Sequence, residues 1–169
     1  LFGQFVTLIY YCSNLNNPKI QQIKDYDTEQ AIYTHILQPE GFLLLGIYLY
    51  ITWYCNMLPL EYYQYNGYIQ WERVFSQLLC QDFIQYIMHR MEHSIQILYK
   101  YTHYRHHVHI KPTLFHSFDG SIGDTVVMII IPLYTTTILI PTNVWSYMVF
   151  GTLYANWLTL IHSEFEHVW

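Results

Sequence analysis

The chain has 169 residues, a formal net charge of -5 and only 11% charged side chains, against roughly 25% in an ordinary soluble domain. Hydrophobic residues make up 53% and aromatics 19%. No basic stripe points to nucleic acid, and three scattered cysteines, Cys12, Cys55 and Cys80, without a CxxC, argue against a disulfide framework or a zinc ribbon. Free cysteines of this kind are expected to pack as small apolar residues.

The chain opens on Leu1 with no basic region or cleavage site, which predicts a piece of a longer protein rather than a signal peptide. Residues 1–12 are apolar and read as the tail of a membrane helix. Residues 13–40 are polar, with breakers at Asn16-Asn17-Pro18 and Gln38-Pro39-Glu40-Gly41. Between them Ile20, Ile23, Ile32 and Ile36 fit short amphipathic helix on a surface. Residues 1–41 thus form a connector ahead of a membrane domain at 42–169.

Residues 42–60 carry no charge and match the ~20 apolar residues of a spanning helix. Residues 61–71 hold Tyr62, Tyr63, Tyr65, Tyr68 and Trp71, rings that favour the headgroup zone, with Asn66-Gly67 as the sharpest point of an interfacial turn. A second spanning helix is expected over 68–88, interrupted by Glu72, Arg73 and Asp82. Residues 125–163 contain no Asp, Glu, Lys or Arg. One helix of that length would be nearly twice the bilayer core. Pro141-Thr142-Asn143 divides the run into two antiparallel spans, 122–140 and 144–162, with a kink at Pro132. The expected architecture is an all-α membrane bundle of about four spanning helices. An out-and-back hairpin returns His162 to the side of His107. Five of the seven basic residues fall between Arg73 and Lys111, which puts the histidine side in the cytosol.

The chemistry lies in residues 82–107. His89 and His93 stand four apart, one turn on a helix face. His103, His106 and His107 follow, giving five imidazoles within nineteen positions. Opposed, the two groups form a nitrogen-rich cage large enough for two metals. A thiolate-free, imidazole-rich site admits zinc, iron, copper or nickel. Asp82 shares a face with Tyr86, His89 and His93, and its carboxylate is a candidate to hold a ligand histidine through the second ring nitrogen; the other reading is an ion pair with Arg73 or Arg90. Glu92, Glu164 and Glu166 are similar candidates, set against simple solvation.

His89-Arg90-Met91-Glu92-His93, then His103-Tyr104-Arg105-His106-His107, then Lys111-Pro112, resemble the fatty acid hydroxylase superfamily of sterol desaturases, sterol methyl oxidases and fatty acid hydroxylases. Asp82 and Tyr86 ahead of the first box match, as does His162 before an aromatic-Trp ending at Trp169. The resemblance covers about residues 75–169, and the sterol desaturase branch is closest. It implies metal ligands at His89, His93, His103, His106, His107 and His162, and a site of two iron ions. It also implies O2 as co-substrate and a sterol or fatty acyl substrate whose C–H bond is hydroxylated or desaturated. A b-type cytochrome or reductase would be the electron donor, at the cytosolic face of the endoplasmic reticulum. Asp82, Glu92 and Glu164 would support the ligands. His167 is either a ligand or a surface residue. His109 and His116 match no ligand position, and His35 is incidental.

The superfamily's last HxxHH box is absent before Trp169. The expected explanation is truncation; the alternative is a non-catalytic membrane subunit that keeps the fold. A zinc transporter is a weaker reading, because its ligands belong mid-membrane and these boxes lie outside the apolar runs.

Overall fold

The computed structural model describes residues 43–108 and 120–161, together with positions 9, 12, 13 and 29. The regular structure among them is entirely helical. Helix α1 (Leu44–Tyr54) leads through a 3-10 turn at Leu60–Tyr63 to the long helix α2 (Trp71–Ser94). The short helix α3 (Gln96–Leu98) runs into a π turn at Tyr99–His103 and a 3-10 turn at His106–Val108. Helix α4 (Ile122–Leu139) and helix α5 (Val144–Ile161) complete the described fold. The connector expected over 1–41 lies outside the described residues, save those four positions.

Helix α1 departs from the span expected over 42–60. It stops at Tyr54, because Asn56 takes a left-handed φ of 52° and Met57 N–H turns back to the Thr52 carbonyl at 2.9 Å. Its 11 described residues cover ~16 Å, about half a bilayer core. Helix α2 runs further than the expected 68–88, starting at Trp71 and carrying the first histidine pair on its last two turns. Helix α4 alone among the described helices is long and apolar enough to cross a membrane. Pro132, where a kink was expected, is preceded by a π turn at Val126–Ile130. A wide turn there accommodates a residue that can donate no backbone hydrogen bond.

Helix α2 is the central rod, packed against both α4 and α5. Val74, Gln77, Gln81 and Glu92 face inward. Trp71, Phe75, Leu79 and Phe83, at four-residue steps, face out with about 60% of each surface uncovered (63%, 63%, 58% and 63%). Outward apolar ridges of this size mark a surface made for an apolar neighbour. The core is built from Tyr62, Val74, Ile129, Leu133, Tyr147, Phe150, Tyr154 and Leu158. The cysteines do not join it: Cys55 is exposed and Cys80 half-buried. Cys55 caps the end of α1 and Cys80 lies on α2, in an unusually apolar chain where a small apolar group need not be inside.

The aromatic turn is a clamp at one end of the bundle. The Tyr62 hydroxyl donates to the Thr137 carbonyl at 3.0 Å and accepts from the Gln77 amide at 3.0 Å. Asn143 caps α5 through the Ser146 N–H at 2.9 Å, and its own amide donates to the Tyr68 carbonyl at 2.9 Å. Trp145 donates to the Tyr65 carbonyl at 2.9 Å. These bonds fix where α4 turns into α5, so both helices return toward the histidine end.

Candidate metal centre

Helix α2 ends at Ser94 because Ile95 is extended (φ -103°, ψ 104°). The break folds the second histidine group back onto the first. On α2, one turn apart, the His89 and His93 rings lie 4.6 Å centroid to centroid. The π turn at Tyr99–His103 then presents His103 to both, at 4.7 and 4.9 Å. Ring nitrogens of His89, His93 and His103 lie within 4.8 Å of one another. His107 Nε2 is 3.0 Å from His103 Nε2 and 3.3 Å from His93 Nε2. Two nitrogens each 2.0–2.1 Å from one tetrahedral metal are about 3.4 Å apart, so these spacings fit a shared ion. The donor set is nitrogen-rich and free of sulfur, and the residues fit the imidazole-bound metal that the sequence pattern implies.

His103 is the buried member, 1% exposed. Its Nδ1 is 2.7 Å from Asp124 Oδ1 and 3.3 Å from Glu92 Oε2. Asp124 accepts there, so the Nδ1–H tautomer is favoured and Nε2 is left to face the other imidazoles. The Thr102 hydroxyl donates to Glu92 Oε1 at 2.6 Å and so sets the Glu92 rotamer. Burial raises the Glu92 carboxyl above its ordinary value, with the Thr102 bond pulling the other way. Burial, with the neighbouring imidazoles, pushes His89 down to about 4, and burial with His103 and His93 lowers His107. A lowered imidazole is neutral at pH 7, the form that binds metal.

Asp124 arrives by helix capping. Ser121 Oγ accepts the Asp124 N–H at 3.0 Å and starts α4. The same hydroxyl donates to the Thr102 carbonyl at 2.6 Å, tying α4 to the π turn. Gly123 permits the approach, since a Cβ there would stand 2.7 Å from Thr102 Cγ2. Asp124, Thr102 and Ser121 are absent from the residues predicted to matter. The signal was present as Ser121-Ile122-Gly123-Asp124 ahead of an apolar run, a capping-box pattern.

Of the predicted residues, His89, His93, His103 and His107 converge. His106 stacks on His103 at 5.4 Å and turns to an adjoining cavity. Glu92 Oε2 stands 3.3 Å from His103 Nδ1. Asp82 is exposed on the cavity wall, and the carboxylate on His103 is Asp124 instead. The ion pair weighed for Asp82 is absent among the described residues, where Arg90 bonds the Tyr86 hydroxyl at 3.3 Å. His162 and Glu164 lie outside the described residues, as do His35, His109, His116, Glu166 and His167.

The cavity measures about 290 Å³. Asp82, Gln85, Tyr86 and His89 of α2 form one wall; Asp124, Met128 and Ile129 of α4 and Trp157, Leu158 and Ile161 of α5 form the others. The start of α4 and the end of α5 therefore meet at the histidines, as the hairpin reading requires.

Residues 74–169 match the fatty acid hydroxylase family model. The chain is 48% identical over 148 residues to a protein of Phaeodactylum tricornutum (strain CCAP 1055/1) named alternative squalene epoxidase, covering 86% of this chain and 42% of that relative. The chain thus spans less than half the length of the curated relative it matches. No solved structure matches it. With more than half of its length inside the family model, the chain belongs to the fatty acid hydroxylase family.

Proposed function

We propose that this chain is the metal-binding part of a membrane di-iron oxidoreductase that uses O2 to oxidise a hydrophobic lipid. The observation that carries the reading is the convergence of His89, His93, His103 and His107 beside a cavity with apolar walls. Family membership supports lipid oxidation, and the name of the relative extends the candidate substrates from sterol and fatty acyl chains to an isoprenoid hydrocarbon such as squalene.

When bound, two irons would supply the O2 chemistry needed against an unactivated C–H bond or an isolated alkene. His89, His93, His103, His106, His107 and His162 would hold them. Ile161 on the cavity wall supports the place given to His162, the next residue. Asp124 keeps the His103 ring in one orientation. Met128, Ile129, Trp157 and Leu158 would bind the hydrocarbon and exclude water, with Asp82, Gln85 and Tyr86 as the polar rim. At about 290 Å³ the cavity is at the small end of ligand pockets, ~300–1,000 Å³. It would hold one segment of a long lipid while the rest stays in the bilayer. About four membrane crossings, a cytosolic site in the endoplasmic reticulum and reduction by a b-type cytochrome or reductase belong to the same proposal. The exposed Lys100 and Arg105 beside the site would meet an acidic donor.

The test is the full-length protein expressed with iron, assayed for iron per chain and for O2-dependent products from squalene, sterols and fatty acyl lipids. About two irons and an oxygenated or desaturated product are expected. Less than one iron per chain with no product would leave the non-catalytic subunit as the better reading.

A further inference from the structure

A second cavity, about 280 Å³, lies at the other end of the bundle, lined by polar residues that the metal centre does not use. Glu61, Asn66 and Gln70 come from the aromatic turn, Arg73 from the first turn of α2, and Thr142 and Asn143 from the turn before α5. Its cation is Arg73 and its anion is Glu61. Neither forms an ion pair among the described residues, where the carboxylate bridges are those of His103. Both side chains are exposed and line the cavity, so charges of opposite sign are offered there to a ligand carrying both.

Geometry gives the depth. Arg73 precedes His89 and His93 on the same unbroken helix by sixteen and twenty residues, ~24–30 Å at helical rise. A bilayer hydrocarbon core is about 30 Å thick. With the histidines at one interface, the cavity is at the headgroup layer of the opposite leaflet. Exposed aromatics surround it: Tyr65, Tyr68, Trp71 and Trp145, the ring types that settle at that level. Below it α2 turns its outward ridge of Trp71, Phe75, Leu79 and Phe83 toward the apolar phase.

We infer that this cavity holds the headgroup of a zwitterionic phospholipid, its phosphate on Arg73 and its ammonium on Glu61, in the leaflet opposite the metal centre. The Arg73 guanidinium suits a phosphodiester because its planar fork donates two parallel bonds. Glu61 disfavours a purely anionic headgroup by like charge. The inference rests on the membrane reading and is independent of the metal.

The experiment uses the full-length protein in detergent, delipidated and then titrated with phosphatidylethanolamine or phosphatidylglycerol, with bound lipid counted by native mass spectrometry. The wild type retains one phosphatidylethanolamine per chain and prefers it to phosphatidylglycerol. Arg73→Gln weakens that binding about tenfold, the loss of one charge-assisted contact. Glu61→Gln reverses the preference toward phosphatidylglycerol, an outcome that loss of folding does not mimic. Iron content measured in parallel is unchanged in both variants. Equal binding and unchanged preference in both variants, or displacement of the lipid by millimolar inorganic phosphate, overturns the inference; the latter result marks a simple anion site.

Discussion

Asp124 reaches His103 across the gap between two separate helices, with Oδ1 2.7 Å from Nδ1. The contact makes the start of α4 a part of the histidine cluster, although it is twenty-one residues downstream. Supporting carboxylates of this kind carry ~10–100-fold in metal affinity. Asp124→Asn keeps the shape and loses the charge. It is expected to weaken iron binding by about that factor, measured by chelator competition, with helical content unchanged by circular dichroism.

His89 gives the metal-free protein one component of its pH dependence. Its folded pKa, about 4, lies below the ~6.5 of an unfolded histidine. Between these values the unfolded chain binds the extra proton, so stability rises with pH across the window and is fully present above it. Glu92, raised by burial, acts in the opposite direction: the unfolded chain loses that proton first. The difference between wild type and His89→Gln isolates the histidine. The Tm of wild type should fall relative to the variant as pH drops from about 6.5 to about 4.

Gly123 packs against Thr102 of the π turn with no room for a side chain. Gly123→Ala puts a methyl 2.7 Å from Thr102 Cγ2 and is expected to cost about 1–3 kcal/mol and to loosen metal binding with it. Gly151, with nothing within 4 Å of an added Cβ, is the control. Gly151→Ala on α5 should stabilise by ~0.5–1 kcal/mol through backbone entropy. Denaturant titration of the two variants reads both signs.

Tyr62 is wholly buried and bonded at both ends of its hydroxyl. Tyr62→Phe leaves the Thr137 carbonyl and the Gln77 amide without that partner. The expected loss is about 1–3 kcal/mol, seen as a lower thermal midpoint. The metal centre sits at the far end of α2, so metal content per folded chain should not change.

The helical class and the histidine pairing were legible because both are local. A turn of helix sets His89 beside His93, and long uncharged runs mark apolar helices. The break at Ile95 was not legible, since Ser94-Ile95-Gln96 holds no Gly, Pro or Asn and a lone Ser is a weak signal. Asp82, Glu92 and Glu164 were the carboxylates expected to support the ligands; Asp124, which is the one bonded to His103, is brought there by contact across the fold and not by sequence proximity. The end of α1 was placed too late because length and lack of charge dominated the expectation, although Asn56 is a residue type that readily takes the left-handed conformation ending a helix.

The bend at Ile95 has a consequence for biogenesis. His89 and His93 leave the ribosome on one rod, and His103 and His107 on the segment after the bend. Until that segment doubles back and Ser121 seats the next helix on Thr102, the four imidazoles share no point in space. The cluster is therefore complete only once the chain has been made as far as α4, and a metal ion held by all four imidazoles would report that assembly has reached that point.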